Sequence, residues 1–281
     1  MQSRIITESE LQSFNIYLQE EEKSKNTIEK YLRDVKNFIH FVGKSDITKE
    51  TVIAYKNHLL TNHYAARSVN SMLASLNSIF VFLGWNDCRV KNVKLQREVY
   101  RAEEKELTKQ EYMRLINTAH LNRNYRLELL LQTICGTGIR VSEVPHITVE
   151  AVKKGEAVVW LKGKTRSVFL VKQLRRNLLE YAKKQGIQSG AIFITRTGKL
   201  MNRTNIWREM KSLCKQANVN PNKVFPHNLR HLFARTFYAI KKDIAKLADI
   251  LGHSSIDTTR IYTISTGQEH RRQMEEMRLV V

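Results

Sequence analysis

The residues with the clearest potential for chemistry lie between Pro226 and Thr263. A guanidinium and imidazole N–H groups can hold a phosphodiester from several sides, and a tyrosine hydroxyl can attack its phosphorus and hold it covalently. The stretch therefore predicts phosphodiester chemistry, and the alternative is a helical core with two hydrogen-bonded histidines and a surface tyrosine. The four candidate residues are His227, Arg230, His253 and Tyr262.

Helices are predicted to position these side chains. Pro226 favours the first turn of a helix, because its φ angle fits there and its missing N–H is not needed. His227 and Arg230 then share a face, while Gly252 ends the next apolar segment just before His253. The predicted buried stripe consists of Leu229, Phe233, Phe237 and Ile240, and Asp257 or Thr258 is predicted to cap a last helix that carries Tyr262.

The composition favours a nucleic-acid partner. Among 281 residues the chain has 47 Lys and Arg against 27 Asp and Glu, a formal net charge of +20, and such an excess attracts polyanions. Cys88, Cys135 and Cys214 are too far apart in sequence for a metal motif or a disulfide framework, which favours a reducing compartment. No secretory signal and no apolar run of ~18 residues is visible, so neither secretion nor a membrane span is predicted.

Four periodic apolar segments predict a compact helical unit in the first 85 residues. The signals are a capping box from Thr7 to Glu10, a cap at Asn26 or Thr27, and helical periodicity over residues 49–60 and 66–83. Cations on this unit are predicted to contact DNA phosphates, although a solvated face is the alternative. They are Lys30, Arg33, Lys36 and Arg67.

The chain is predicted to have two domains, because periodicity fades and charge dominates before Glu106. We predict a helical DNA-binding domain over residues 1–96, a basic linker over 97–106, and a second domain over 107–281 that includes a tail at 265–281.

The second domain is predicted to be mainly α-helical with a small antiparallel β-meander. A capping box at Thr108 opens it, glycines end a leucine-rich helix at 124–135, and Arg140 and Glu143 then share a helical face. Further predictions are a turn at 153–155, strands at 158–161 and 165–170 joined by a turn at Gly163–Lys164, and helices at 172–184 and 203–217. The hairpin tip is predicted to present the cations Lys162, Lys164 and Arg166 to the site or to DNA rather than only to solvent.

Four motifs resemble those of the tyrosine recombinases, the phage integrase family. TGIRVSEV (137–144) resembles the first arginine box, LKGK (161–164) the hairpin lysine motif, HNLRH (227–231) the His-x-x-Arg box and LGHSSIDTTRIYT (251–263) the box that carries the nucleophilic tyrosine. The resemblance covers roughly residues 107–263. The N-terminal unit is also similar to the helical, SAM-like core-binding domain that precedes the catalytic domain in simple two-domain, Xer-like members of this family.

The resemblance implies a covalent mechanism on DNA. Tyr262 would attack the scissile phosphate, form a 3′-phosphotyrosyl link and release a 5′-hydroxyl. Arg140 and Arg230 would hold the non-bridging oxygens and offset the charge that develops in the transition state, and Glu143 would orient a neighbouring catalytic side chain. Since these cations carry the charge, neither a metal nor another cofactor is expected.

Proton transfer is the second implication of the resemblance. His227 and His253 would add hydrogen bonds and move protons, and Lys162 would protonate the leaving oxygen. The hairpin motif departs from the family, because it lacks a second glycine after Lys164 and a proline later in the strand, so Lys164 is an alternative general acid. His231 is interpreted as structural.

The resemblance further implies a homotetramer on double-stranded DNA that carries specific recombination sites. Its protomers would exchange their C-terminal tails and strands through a Holliday junction, with or without an accessory DNA-bending or directionality factor. The expected location is the cytoplasm of a bacterium, on the nucleoid. The alternatives are a type IB topoisomerase-like enzyme that relaxes DNA and a non-catalytic DNA-binding protein of the same fold.

Overall fold

The computed structural model describes residues 4–95, 105–161, 164–262 and 274–277. The chain divides into two compact units, Met1–Arg97 and Glu98–Val281, and each has its own hydrophobic core. Most of the predicted linker lies outside the described residues, and at its end Glu106 forms an ion pair with Arg235 of the second unit. Within the described ranges, no helix is long and apolar enough to cross a membrane.

Four helices form the first unit around a core of aromatic and aliphatic side chains. Phe14, Phe38 and Phe80 are fully buried there, and the capping box of Thr7 with Glu10 is present as predicted. The described elements are α1 (Glu8–Glu20), α2 (Lys25–Val42), α3 (Lys49–Thr61), α4 (Ala66–Phe82) and a short 3-10 helix (Asn86–Cys88).

Two details of the first unit differ from the sequence-based expectations. Helix α2 begins earlier than predicted, because Ser24 rather than Asn26 or Thr27 caps it and its hydroxyl accepts the Thr27 N–H. The unit also extends beyond residue 85, since Cys88 and Val90 are buried in its core.

The second unit is mainly helical and contains one two-stranded antiparallel sheet in its described part. Thr108 forms the predicted capping box with Glu111, and Pro226 occupies the first turn of its helix as predicted. The elements are α5 (Lys109–Leu121), α6 (Tyr125–Thr137), a 3-10 helix (Val141–His146), α7 (Val149–Lys154), β1 (Glu156–Leu161), β2 (Lys164–Phe169), α8 (Lys172–Lys184), α9 (Arg203–Ser212), a 3-10 helix (Pro221–Lys223), α10 (Pro226–Lys241), α11 (Ile244–Leu251) and α12 (Ile256–Arg260).

The sheet confirms the predicted fold class and corrects the position of its turn. The register pairs Glu156 with Phe169 and Leu161 with Lys164, so Lys164 belongs to β2 and not to the turn. Lys162 and Gly163 lie outside the described residues. Since side chains alternate across a strand, Ala157, Val159 and Val168 all point into the core.

Four local predictions in the second unit were wrong. The expected turn at 153–155 is the end of α7, which Gly155 closes in the left-handed region at φ 88°, and α9 ends at Ser212 rather than at 217. Ile240 is 71% exposed, because it lies in the last turn of α10 next to Lys241. Ser255 caps α12, and Tyr262 follows that helix instead of lying on it.

Candidate active site

Arg230 is the buried centre of the candidate site. Its side chain is 2% exposed, and its guanidinium donates to the carbonyl of Gly138 at 2.5 Å, to the carbonyl of Leu251 at 2.8 Å and to His253 Nε2 at 3.0 Å. Burial, followed by the nearby charge of Arg140, lowers the pKa of Arg230 to about 10. Arg230 therefore remains charged at neutral pH and is held rigidly in place.

Arg140 lies at the start of the 3-10 helix Val141–His146 and contacts the same region. Its Nη1 donates to Glu143 at 3.1 Å and its Nη2 to the carbonyl of Gly252 at 3.3 Å. Burial would raise the pKa of Glu143, but the Arg140 backbone N–H and the Arg166 guanidinium outweigh it and hold that pKa below the ordinary value. Glu143 is thus an anion that orients two guanidiniums.

The hydrogen bonds of His253 assign its tautomer. Arg230 can only donate, so Nε2 of His253 accepts that bond, and Nδ1 then carries the proton and donates to Thr259 Oγ1 at 2.9 Å. Burial, followed by the charges of Arg230 and Arg140, lowers the pKa of His253 to about 4. His253 is therefore neutral at pH 7.

Tyr262 lies inside this site, because its side chain is 3% exposed and packs with Ala234 and Leu251. Its phenol lies near Arg230, and this contact opposes the lowering of the Arg230 pKa. Its ring stacks at 5.8 Å from that of His253.

Two further histidines form successive ring contacts between Tyr262 and the protein surface. The ring of His231 meets Tyr262 edge-on at 4.6 Å and the exposed His227 at 4.5 Å. His231 was interpreted as a structural residue, and the structure places its buried ring directly against the candidate nucleophile.

A cavity of about 650 Å³ opens beside the arginines. Arg140, His227 and Arg230 line one part of it, and Arg203 and Trp207 of α9 line another. Tyr262 is not among its lining residues, so the phenol is shielded from the space in which a phosphate could meet the two guanidiniums.

The structure describes the three hairpin cations to different extents. Lys162 lies outside the described residues, and only the backbone of Lys164 is described. Arg166 does not project from the tip toward DNA: its side chain is 12% exposed and pairs with Glu143 at 2.6 Å. The inward direction of this strand position places it in the site instead.

The cations of the first unit also divide into two groups. Lys30 donates to Asp34 at 2.6 Å and to Ser75 at 3.0 Å, and these internal bonds compensate the burial of Asp34, whose side chain is 2% exposed. Arg33 lies 3.8 Å from the same carboxylate, but its side chain is 68% exposed, and Arg67 is exposed on α4. Lys36 is exposed and lies 3.5 Å from Glu8.

Sequence reasoning missed several residues that support the site. Thr259 and the carbonyls of Leu251 and Gly252 contact His253, Arg230 and Arg140. Arg166 was predicted as a DNA contact, and its inward strand position pairs it with Glu143 instead. The others could not be found, because backbone carbonyls carry no sequence signature.

In the described part of the chain, no group of three or more His, Cys, Asp or Glu side chains is placed to hold a metal ion. The charged side chains that line the cavity are the guanidiniums of Arg140, Arg203 and Arg230.

Comparisons with known proteins agree with the motifs and with the division into two units. The model of the "Phage integrase family" matches residues 105–269. The model of the "Phage integrase, N-terminal SAM-like domain" matches residues 11–87. Together the two models cover the candidate site and most of the first unit.

Similar proteins extend over nearly the whole chain. A tyrosine recombinase XerA from Thermococcus kodakarensis is 30% identical over 280 residues, which cover 96% of this chain and 95% of that protein. The crystal structure of a XerA recombinase matches with a TM-score of 0.54 and 26% identity, over 97% of this chain and 99% of that one. A lambda integrase tetramer bound to a Holliday junction shares the fold, with a TM-score of 0.74 and 18% identity over 93% of this chain and 78% of that one.

Proposed function

Since the chain belongs to the phage integrase family of tyrosine recombinases, we propose that it cuts and rejoins duplex DNA at specific sites through a 3′-phosphotyrosyl intermediate. The observation that carries this proposal is the position of Tyr262, whose buried side chain stacks on His253 and lies near Arg230. Arg140, His253 and Glu143 surround the same point.

The proposed first step exchanges one ester bond for another. The Tyr262 oxygen forms a bond to the scissile phosphorus as the bond from phosphorus to the 5′-oxygen breaks, and the phenol proton leaves while the 5′-oxygen gains one. Because the phosphodiester is retained as a phosphotyrosine, a free 5′-hydroxyl can reverse the step and reseal a strand. The chemistry needs no nucleotide and no metal for its balance.

The arginines supply the electrostatic part of this step. Arg140 and Arg230 line the cavity together, and their guanidiniums suit the non-bridging oxygens of a phosphate, which gain charge in the transition state. Glu143 holds Arg140 in position. Loss of one such donor typically costs about 10²–10³ in rate.

Protons are moved by the remaining candidates. His227 is exposed at the cavity, so it is suited to donate a hydrogen bond to a phosphate oxygen. His253 is neutral, so we propose it as a proton acceptor. We propose Lys162 as the acid for the leaving 5′-oxygen, with Lys164 as the alternative.

Attack requires a movement of the segment that carries Tyr262. The phenol is buried and does not line the cavity, so a phosphate held by both arginines meets it only after the chain that follows α12 shifts. DNA binding is the event that we propose to cause this shift.

Assembly and location complete the proposal. The lambda integrase structure shows a tetramer on a Holliday junction, and we propose the same assembly here, with strand exchange through such a junction. Residues 265–281 are proposed to dock on a neighbouring protomer, with or without an accessory DNA-bending or directionality protein. We propose a place on the nucleoid inside the cell. The XerA relative is archaeal, so a bacterial source is not supported.

The domain boundaries and the DNA contacts follow the same proposal. We propose residues 1–96 as the core-binding domain, 97–106 as its linker and 107–281 as the catalytic domain. Arg33, Lys36 and Arg67 are proposed phosphate contacts because they are exposed, whereas Lys30 and Arg166 are occupied by internal ion pairs.

The test is a covalent trap on DNA. Genomic fragments from the source organism are incubated with the protein, the adducts are denatured and recovered, and the attached DNA ends are sequenced to find the cleavage site. A nicked version of that site, which loses its 5′-hydroxyl fragment after cleavage, then accumulates the adduct, and peptide mapping locates the attachment.

We expect Tyr262→Phe to bind this DNA and to form no adduct. Tyr238→Phe is the matched control, because Tyr238 packs in the same apolar cluster and should still allow the adduct to form. EDTA should leave adduct formation unchanged. An adduct in the Tyr262→Phe protein would refute the assignment of the nucleophile.

A further inference from the structure

Three arginines from different parts of the second unit converge on the end of α11. Arg166 donates to the carbonyl of Ile250 at 2.7 Å, Arg230 to that of Leu251 at 2.8 Å, and Arg140 to that of Gly252 at 3.3 Å. These are among the carbonyls that a helix leaves without a partner at its C-terminus, and the helix dipole makes that end attractive to cations. Each arginine therefore has an anchor on one short stretch of backbone.

Arg166 differs from the other two because it does not line the cavity. Its second bond, at 2.6 Å, goes to Oε2 of Glu143, and Oε2 of the same carboxylate accepts the Arg140 backbone N–H at 2.9 Å. Glu143 Oε1 accepts from the Arg140 guanidinium at 3.1 Å. Arg166 thus connects the helix end before His253 to the carboxylate that orients Arg140.

The stem of Arg166 also packs closely on the helix end. Gly252 adopts a left-handed φ of +63°, and a Cβ at that position would overlap the Cδ of Arg166. The absence of a side chain on Gly252 therefore lets the arginine cross the turn that precedes His253. Arg166 lies in β2, the strand that follows Lys162 and Gly163, so the same side chain ties the hairpin to this turn.

We propose that Arg166 is a positioning residue of the recombinase site, which acts through Glu143 and the Ile250 carbonyl to hold Arg140 and the His253 turn in register. The kinetic test of this inference rests on the proposed function, whereas the structural test rests only on the hydrogen bonds described above. Arg166 itself is not proposed to touch the DNA, because both of its terminal nitrogens are bonded inside the protein and its side chain is mostly buried.

Two substitutions separate the guanidinium from the stem. Arg166→Met keeps an unbranched stem over Gly252 and removes the bonds to Glu143 and to the Ile250 carbonyl. Arg166→Lys keeps the charge, but its single ammonium can bond to Glu143 or to the carbonyl and not to both. Arg175 offers a matched control in the same unit. It donates to the Val152 carbonyl at 2.9 Å and packs over Gly155, another left-handed glycine at a helix end.

The kinetic test measures single-turnover adduct formation on the nicked site together with DNA affinity. Arg166→Met and Arg166→Lys should slow adduct formation by about tenfold or more, since small displacements of catalytic groups cost that much, while affinity changes less than about twofold. Arg175→Met and Arg175→Lys should lose similar thermal stability and keep the wild-type rate. Equal rates in the Arg166 and Arg175 variants would overturn the proposal.

A double-mutant cycle tests whether Arg166 acts through Glu143. The rate losses of Arg166→Met and Glu143→Gln should be strongly non-additive, since both disrupt the contact between residues 166 and 143, whereas Arg175→Met and Glu143→Gln should combine additively. Simple addition of the Arg166→Met and Glu143→Gln losses would contradict a path through Glu143.

Hydrogen exchange gives a readout that does not depend on recombination. The N–H groups of Gly252 and His253 bond to the carbonyls of Asp249 and Ala248, and their exchange should accelerate in Arg166→Met but not in Arg175→Met. If wild-type protein forms no adduct, the proposed function fails while this result still decides the positioning role. Unchanged exchange in Arg166→Met would overturn it.

Discussion

His253 shows how neighbouring groups decide the state of one side chain. Arg230 and Thr259 occupy its two ring nitrogens, so the neutral tautomer with a proton on Nδ1 is the form that fits. Burial disfavours the protonated ring, and protonation of Nε2 would also place a second positive group against Arg230, so the pKa of His253 falls to about 4 from an ordinary 6.5.

This lowered pKa predicts a loss of stability in acid. Between about pH 6.5 and 4 the unfolded chain protonates at residue 253 while the folded chain does not, so folding becomes less favourable as pH falls. The contribution, discounted for partial exposure, is roughly 1–2 kcal/mol. Urea unfolding of wild type and His253→Asn at several pH values measures it as a stability difference.

The expected result is that the difference in unfolding free energy between wild type and His253→Asn shrinks or reverses over this range. His63→Asn serves as the control, because His63 is exposed in a turn with φ 59°, a backbone conformation that asparagine tolerates. A constant difference between wild type and His253→Asn from pH 7 to pH 4 would show that the folded state accepts this proton freely.

At the scale of elements, the site is assembled from helix ends. Helix α6 ends at Gly138, whose carbonyl accepts from Arg230 at 2.5 Å, and α11 ends at Gly252, beside Arg140 and Arg166. Unpaired carbonyls at helix C-termini suit guanidiniums, so these ends fix the arginines more rigidly than long flexible side chains could fix one another.

Gly138→Ala should weaken both the fold and the site. Gly138 has φ +65°, and a Cβ there would come within 2.5 Å of Phe233, so the cost should be about 2–4 kcal/mol from backbone strain and overpacking together. The carbonyl that holds Arg230 would shift as well. Adduct formation on the nicked site should therefore fall by about tenfold or more.

Gly186→Ala is the matched control for this prediction. Gly186 has a similar φ of +69° but nothing within 4 Å of an added Cβ, so only the backbone cost of about 1–2 kcal/mol applies and cleavage should be unchanged. If both variants lose equal stability and retain full activity, the close contact with Phe233 has no role in holding Arg230.

At the scale of the whole molecule, charge is the dominant property. Most of the net charge of +20 lies in the second unit, because residues 1–97 have 14 Lys and Arg against 10 Asp and Glu, and residues 98–281 have 33 against 17. Binding to DNA should release counterions from each neutralised phosphate. Affinity should therefore fall by about 10³ or more between 50 and 200 mM salt if roughly six or more phosphates are contacted. Fluorescence anisotropy on labelled duplex DNA measures the slope.

Single cations of the first unit should contribute unequally to that slope. Arg33 is 68% exposed, so Arg33→Gln should reduce the logarithmic salt slope by about one. Lys30 is committed to buried Asp34, so Lys30→Gln should lower stability and leave the slope unchanged. A slope that responds to Lys30 and not to Arg33 would reverse our assignment of the DNA-facing cations.

The sequence by itself determined the local elements, the charge and the chemical class of the site. Capping boxes at Thr7 and Thr108, the proline that opens α10 and the glycines that end α6 and α11 all act over a few residues, so they can be recognised without knowledge of the fold. The same holds for the motif residues that carry the family resemblance.

Only the tertiary structure decided how these parts support one another. In the structure, Arg166 forms an ion pair with Glu143 instead of facing DNA. Three arginines donate to the carbonyls of residues 250–252, and the ring of His231 contacts Tyr262. Bonds such as that from Arg140 to Gly252 join residues 112 positions apart. Their formation depends on chain packing and on backbone groups that every residue shares, and neither leaves a local pattern in a sequence.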